Sequence, residues 1–461
     1  MKKVMIFCIP AHGHTNPILP VAKELVSRGD AVRFYSFDEF RDKITATGAE
    51  YISCNRFLTT LDKREEENMK NVDTTEMSIQ DIRITIGMTE FLDSEYKSFC
   101  PDVVYSDSAC FWGKLSAKKH NVPLVVSTST FAFNQLSSKY MKNSPKEMAG
   151  LIFGMPRVQK EFCRLKEYGY EAKGFLSLVQ SDNNTDSVVY TSRAFQPYSE
   201  SFSDKYAFVG PSVFSDKLPD KQERPLVYIS LGTVINERPD FYRNCIEALK
   251  EEPLDVIISC GKAVDIGSLG DLPENISVYP YVDQLDVLSR ASAFITHCGM
   301  NSVSESLYMA APMVLYPQTN EQKAVARRVY ETGAGEMLKG DSAPEIHATV
   351  MKVLSDRKYS GAAEKICEDL RSCAGAKGAA DHIESAPNAT GGRDVIKELN
   401  KAAVTWQIVY NILLIVLGRV LFSFIDVKYL WIYIAAAVIL SGPVKNIIGQ
   451  ISYRRLTAAS R

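Results

Sequence analysis

The stretch from Tyr281 to Gln322 leaves this chain few folds to choose from. It reads YVDQLDVLSRASAFITHCGMNSVSESLYMAAPMVLYPQTNEQ. Ala293–Thr296 is an apolar run of the length of a buried strand, and Met313–Tyr316 is another. Between them lie a turn of mostly small residues, His297-Cys298-Gly299-Met300-Asn301-Ser302, and a helical stretch, Ser302–Ala310. Strand, turn, helix and strand in that order form a unit of a parallel α/β sheet. The helix start aims backbone N–H groups and the positive end of its dipole at the turn. A diphosphate set there would meet those amides, His297, and the side chains of Asn301 and Ser302. Glu305 can accept from a ribose hydroxyl, and Glu321 and Gln322 suit sugar hydroxyls.

More of the same alternation precedes this block. Leu226–Ser230, Val256–Ser259 and Ile276–Tyr279 are short apolar runs with helices between, so residues 216–385 are expected to form one parallel α/β domain. After Ser230 comes Leu231-Gly232-Thr233-Val234, where Gly232 permits close backbone approach and the Ser230 and Thr233 hydroxyls can donate. Lys217–Arg224 is a charged, proline-containing linker.

Residues 1–215 read as another doubly wound domain. Strand Val4–Ile9 runs into the loop PAHGHTNP, then a helix with Ile18, Val21, Ala22 and Leu25 on one face, then strand Ala31–Ser36. Further on come strand Pro101–Asp107, helix Cys110–Lys119 and strand Leu124–Thr128. Ligands collect at the carboxyl ends of such strands, where His12, His14 and Asp107 lie. A neutral His can take a proton from an alcohol near pH 7, and a carboxylate behind it holds its tautomer. By residue type alone either histidine is a candidate, and Asp107 reads equally as a cap for the segment from Ser108. Asp102 reads as an exposed turn residue. Residues 56–99 and 130–181 look less regular. The first holds the charged run Asp62–Glu67. The second holds Phe131, Phe133, Phe153, Met155 and Phe162, which suit a pocket wall or ordinary core.

The block from Tyr281 resembles the nucleotide-sugar signature of the family 1 glycosyltransferases, closest to the bacterial macrolide-type branch. His297-Cys298-Gly299, Asn301-Ser302, Glu305, Pro312 and Glu321-Gln322 match in order and spacing. The resemblance covers about residues 1–385. It implies a GT-B fold: two Rossmann-like domains facing across a cleft, the donor on the carboxyl-terminal one and the acceptor on the other. It implies donor contacts from Ser230, Gly232, Thr233, Tyr281, Val282, His297, Gly299, Asn301, Ser302, Glu305, Glu321 and Gln322. Many relatives have Trp, stacked on uracil, where this chain has Tyr281. Gly-His-x-x-Pro resembles the family's base motif, which carries that role onto His14, with Asp107 as its partner. The implied reaction is inverting transfer of a hexose, glucose being favoured, from a UDP-sugar to a hydroxyl. UDP-sugar is then a co-substrate, with no cofactor. The chain has no Asp-x-Asp pair, and no metal is expected. A GT-B sugar-nucleotide epimerase and a non-catalytic nucleotide-sugar-binding protein are the alternatives.

The net charge of −2 gives no reason to expect a nucleic-acid partner. Ten Cys without a CxxC pair fit a reducing compartment, with Cys8 and Cys298 as small core residues. The six-residue run after Met1-Lys2-Lys3 is too short for a signal peptide. Past a linker at 386–403, Val404–Ile425 is mostly apolar and near the ~20 residues that span a bilayer. A second run, Tyr429–Leu440, extends to Ile448. Segment 404–448 is expected to form a membrane hairpin, followed by a basic tail at 449–461. Lys397 and Lys401 flank one end and Lys445, Arg454 and Arg455 the other, so both ends and the catalytic domains are expected in the cytoplasm. One pass, interfacial helices and a soluble appendage are the competing readings. Attachment to a bilayer would suit a small lipophilic acceptor.

Overall fold

The computed structural model describes residues 1–58, 74–141, 145–171, 184–212, 217–233, 235–386, 395–421, 433 and 449–455. Two parallel sheets carry the fold. The first has seven strands in the order β3-β2-β1-β4-β5-β6-β7, and the second six in the order β10-β9-β8-β11-β12-β13. In the first, β1 is Lys3–Phe7, β2 Ala31–Ser36, β3 Glu50–Ser53, β4 Val103–Asp107, β5 Leu124–Thr128, β6 Asp186–Val189 and β7 Tyr206–Phe208. In the second, β8 is Leu226–Ser230, β9 Asp255–Ser259, β10 Ile276–Tyr279, β11 Ala293–Thr296, β12 Met313–Leu315 and β13 Gly335–Met337.

Period-two alternation gives each strand two buried faces. From β1, Val4 and Ile6 pack with Ile18, Val21 and Leu25 on one side, while Met5 and Phe7 pack with Leu92 and Trp112 on the other. The second sheet repeats this. Ile229 and Ile295 face Phe241 and Ile346, and Tyr228 and Phe294 face Val303 and Leu307. Truncating a buried ring such as Phe7 to Ala costs about 3–5 kcal/mol.

Each sheet reverses its winding once, between β1 and β4 in the first and between β8 and β11 in the second. A crevice opens at the carboxyl ends of such strand pairs. His14 follows β1 and Asp107 ends β4; Gly232 follows β8 and His297 follows β11. Both halves of the expected site therefore sit at winding reversals.

Several expectations need correction. His14 is on no loop: helix α1 runs His12–Ser27, with Pro17 and Pro20 inside it. A proline early in a helix removes an N–H and leaves a carbonyl one turn back unpaired; for Pro17 that carbonyl belongs to Gly13. Residues 56–99, read as irregular, contain helices Thr74–Gly87 and Thr89–Phe99, and 130–181 contains helix Pro145–Arg164. Asp62–Glu67 lies outside the described residues. Phe131 and Phe162 are core and Phe153 is 82% exposed, so ordinary packing accounts for most of the supposed aromatic wall. The last helix of 216–385 reaches back to the first sheet. Helix Gly375–Ser385 buries Ala379, Ala380 and Ile383 against α1 and the first sheet, and Arg28 pairs with Asp381 and Glu384 at 2.7 Å. Segment 386–403 is helical from Val395, where helix Val395–Leu421 begins. Ile396–Val420 is long and apolar enough to cross a bilayer and almost wholly exposed. Apart from Tyr433, the second apolar run lies outside the described residues.

Candidate active site

Asp107 is wholly buried at the end of β4. Its Oδ1 accepts from the Ala109 N–H at 2.9 Å and its Oδ2 lies 2.8 Å from His14 Nδ1. It thus caps the turn after β4 and orients an imidazole. Ser129 Oγ, just past β5, lies 3.2 Å from the same nitrogen. This leaves Nε2 as the ring nitrogen for a substrate. Burial alone would depress the His14 pKa; the charge and hydrogen bond of Asp107, with Glu321 behind them, outweigh it and lift it to about 9. The positive end of α1 opposes that rise, because His14 sits in its first turn. His12 is placed differently: its Nε2 is 2.9 Å from Glu39 Oε1, and its ring lies edge-on to Phe40. Asp102 accepts from the Lys3 N–H at the far end of β4.

Across the cleft, His297 is held between two glycines. A Cβ on Gly232 would fall 2.5 Å from His297 Cε1, and one on Gly299 2.5 Å from Nε2. Gly232 also has φ +79°, so a side chain there is strained as well as crowded. Burial pushes the His297 pKa down to about 4, partly offset by the Ser230 backbone, and among the described residues its Nδ1 has no hydrogen-bond partner. A neutral imidazole supplies an N–H rather than a positive charge. Cys298 is buried at φ +66°, a strained conformation for a non-glycine residue. The helix after it is Met300–Tyr308, capped by Gly299, two residues earlier than the apolar spacing indicated. Its amino end still faces the turn.

The remaining positions fall around this point. Ser230 Oγ accepts from the Gly232 N–H at 3.3 Å. Thr233 is exposed beside it, and Val234 lies outside the described residues. Tyr281 is 80% exposed, an aromatic face open to a nucleobase, with Val282 half-buried next to it. Glu305 takes a bond from Gln284 Nε2 at 2.5 Å, and burial raises its pKa. Gln284 also reaches Ser302 Oγ at 3.4 Å and accepts from the Tyr228 hydroxyl at 3.2 Å. Glu321 is exposed at the start of helix Asn320–Thr332. Gln322 is tied up: its Oε1 accepts from the Gln318 and Thr319 N–H groups in a capping box, leaving its amide nitrogen for a ligand. Asn301 Nδ2 donates across the cleft to the Gly13 carbonyl at 3.3 Å, the carbonyl that Pro17 leaves open. Asn16, Pro17, Asn301, Ser304 and Glu305 line a small cavity where the two halves meet.

Residues 213–368 match the family model for UDP-glucoronosyl and UDP-glucosyl transferase. An uncharacterized UDP-glucosyltransferase of Bacillus subtilis, YojK, is 33% identical over 396 residues, 83% of this chain and 97% of the relative. The chain belongs to this transferase family. It is a glycosyltransferase. The NDP-glycosyltransferase YjiC of Bacillus licheniformis is 34% identical, covering 83% of this chain and 97% of its own. The demethyllactenocin mycarosyltransferase of Streptomyces fradiae is 31% identical, covering 83% and 86%. The solved glycotransferase of kitacinnamycin superposes with a TM-score of 0.71 at 26% identity, over 83% of this chain and 98% of its own. The two sheets and their cleft are thus the GT-B fold. Residues 1–385 make up about the share of the chain that these relatives cover.

The glycosyltransferase has site residues that its sequence did not disclose. Gln284 holds Glu305, and Ser129 stands beside His14. The only signal for Gln284 was its place three residues after Tyr281, and for Ser129 its place just past a strand end. Among the described residues no cluster of three or more His, Cys, Asp or Glu is arranged to hold a metal ion.

Proposed function

We propose that this chain transfers a hexose, glucose by preference, from a UDP-sugar to a hydroxyl of a small lipophilic acceptor, with inversion. His14 Nε2 takes the hydroxyl proton as the oxygen attacks the anomeric carbon. The bond from that carbon to the diphosphate oxygen breaks, and UDP leaves with the electron pair. Attack opposite the leaving group turns an α-linked donor into a β-glycoside. Asp107 fixes the tautomer and stabilises the imidazolium. The Met300–Tyr308 helix start, the His297 N–H and the Asn301 and Ser302 side chains meet the charge on the leaving diphosphate. Tyr281 stacks on the base, Glu305 takes a ribose hydroxyl, and Glu321 with the Gln322 amide faces the sugar.

The observation carrying this reading is the imidazole–carboxylate pair at one winding reversal, with Glu321 of the other domain close enough to act on its charge. The curated relatives named as UDP-glucosyltransferases support the donor. The tail supports the acceptor class. Its exposed 25-residue span points to a bilayer. Tyr433 donates to the Leu414 carbonyl and lies against Gly418. Tyr453 donates to Glu200 of the body at 3.0 Å. A cytoplasm-facing hairpin is the topology we infer for this tail.

The test is incubation of the full chain with labelled UDP-glucose and other nucleotide sugars, alone and with native membranes or extracted lipids. Label from UDP-glucose is expected in a lipid-extractable glycoside, and His14→Ala is expected to lower transfer by about 10²–10⁴. Undiminished transfer by His14→Ala would refute the base assignment.

A further inference from the structure

Asp107 poses a charge problem. Its two oxygens are engaged by His14 and by the Ala109 N–H in a site closed to water. With His14 protonated, the pair is neutral overall. With His14 neutral, as a base must be before it accepts a proton, the carboxylate charge stands in a dry site with N–H donors alone. A buried charge so placed is costly. A cation nearby removes much of that cost.

The fold supplies one. Helix Phe111–Lys119 is pressed onto the carboxyl end of β4: a Cβ on Gly113 would fall 2.3 Å from Ser106 Oγ and 2.7 Å from Phe7 Cβ. That contact, open only to glycine, carries the next residue to the turn after Asp107. There the Lys114 ammonium donates to the Ser108 carbonyl and lies 5.1 Å from the Phe111 ring centroid. Burial lowers the Lys114 pKa to about 8, opposed by the charges of Asp107, Cys110 and Asp81, so it stays protonated at neutral pH. Asp81, from helix Thr74–Gly87, is within electrostatic reach. Burial raises its pKa to about 7, with Lys114 pulling it down and Asp107 pushing it up. Among the described residues, titratable groups also acting on the cluster are Glu321, which raises His14, and the neighbours Cys8, Cys110 and Tyr105, each of these three held protonated by burial.

We propose that Lys114 is a positioning residue for the transfer: its ammonium braces the Asp107–Ser108 turn and sets a positive charge beside the Asp107–His14 pair, with Asp81, on the helix packed against that of Lys114, opposing it. This rests on His14 being the base. Lys114 touches neither substrate; it acts through Asp107.

The measurement is the titration of the His14 imidazole by NMR in the full chain in detergent, labelled with ¹³C-histidine and assigned by His14→Gln. It needs no acceptor. Lys114→Met is expected to raise the His14 pKa by about one unit, an approximately tenfold smaller neutral fraction at pH 7. Lys114→Arg is expected to restore it, and Asp81→Asn to shift it the opposite way. Loss of packing alone does not produce opposite shifts. An unmoved His14 titration in Lys114→Met, or a shift of the same sign in Asp81→Asn, overturns the proposal. If Lys114→Met does not fold, Asp81→Asn decides by its sign. His14→Ala activity is read separately. Full activity there removes the base reading, whereas a dead His14→Ala with an unmoved titration removes only Lys114.

Discussion

Replacing Asp107 by Asn keeps the shape of the buried site and removes its charge. In the native chain Asp107 lifts His14 from the ordinary 6.5 to about 9, so at pH 7 only about 1% of the imidazole is free to act as a base. Turnover should therefore climb about tenfold per pH unit up to that point. Without the carboxylate, His14 is left with its burial and the positive end of α1 against the weaker pull of Glu321, and its titration falls to about 6.5 or below. The variant's rate then levels off near neutrality. The ratio of native to variant rate should grow through the window between the two pKa values by a factor on the order of 300, matching about 3 kcal/mol. The assay is release of UDP from UDP-glucose, followed from pH 6 to 10 with an acceptor found by the lipid screen. Stability carries the same signature. Because the folded pKa is raised, the pair's contribution, on the order of 3 kcal/mol, is present in full below about pH 6.5 and lost as pH rises through about 9. The native advantage in Tm over Asp107→Asn should shrink over that range. Parallel pH–rate profiles for the two proteins would show that Asp107 does not tune His14.

Gly232→Ala puts a methyl group into the His297 ring from a left-handed backbone. KM for UDP-glucose should rise about five- to thirtyfold, as expected for a cost of about 1–2 kcal/mol at the diphosphate loop, with the far-ultraviolet spectrum unchanged. Tyr281→Ala removes a ring that is 80% exposed. It should leave Tm unaltered and raise the same KM by about two- to tenfold, the worth of one stacking contact. Truncation after Ala386 should move the protein from the membrane pellet to the supernatant while UDP release with a water-soluble alcohol persists. A truncated body that still sediments with membranes would remove the tail as anchor.

What the sequence disclosed follows from how local each signal is. The buried strands were legible because short, mostly apolar runs rich in β-branched and aromatic residues can hardly sit elsewhere, and β2, β5, β8, β10 and β11 have the bounds their patterns indicated. Edge strands were not: Glu50–Ser53 and Gly335–Met337 carry too few apolar residues to stand out. Helix Thr74–Gly87 was masked by its β-branched residues and weak amphipathic pattern, and Pro145–Arg164 by Pro156 within it. His14 was placed on a loop because Gly13 and Pro17 flank it, yet both fit the opening turns of α1. The contributions of Ser129, Gln284 and Lys114 depend on partners brought near by the tertiary fold. So does the return of Gly375–Ser385 to the first sheet, whose partners lie more than 300 residues away in the chain.

Pro17 turns a missing amide into a latch. Pro17 has no N–H to give the Gly13 carbonyl, and the Asn301 amide fastens onto that oxygen across the cleft. That amide is also one that the proposed donor site offers to the diphosphate, so seating UDP-sugar there would exchange a hydrogen bond between the two lobes for one to the donor.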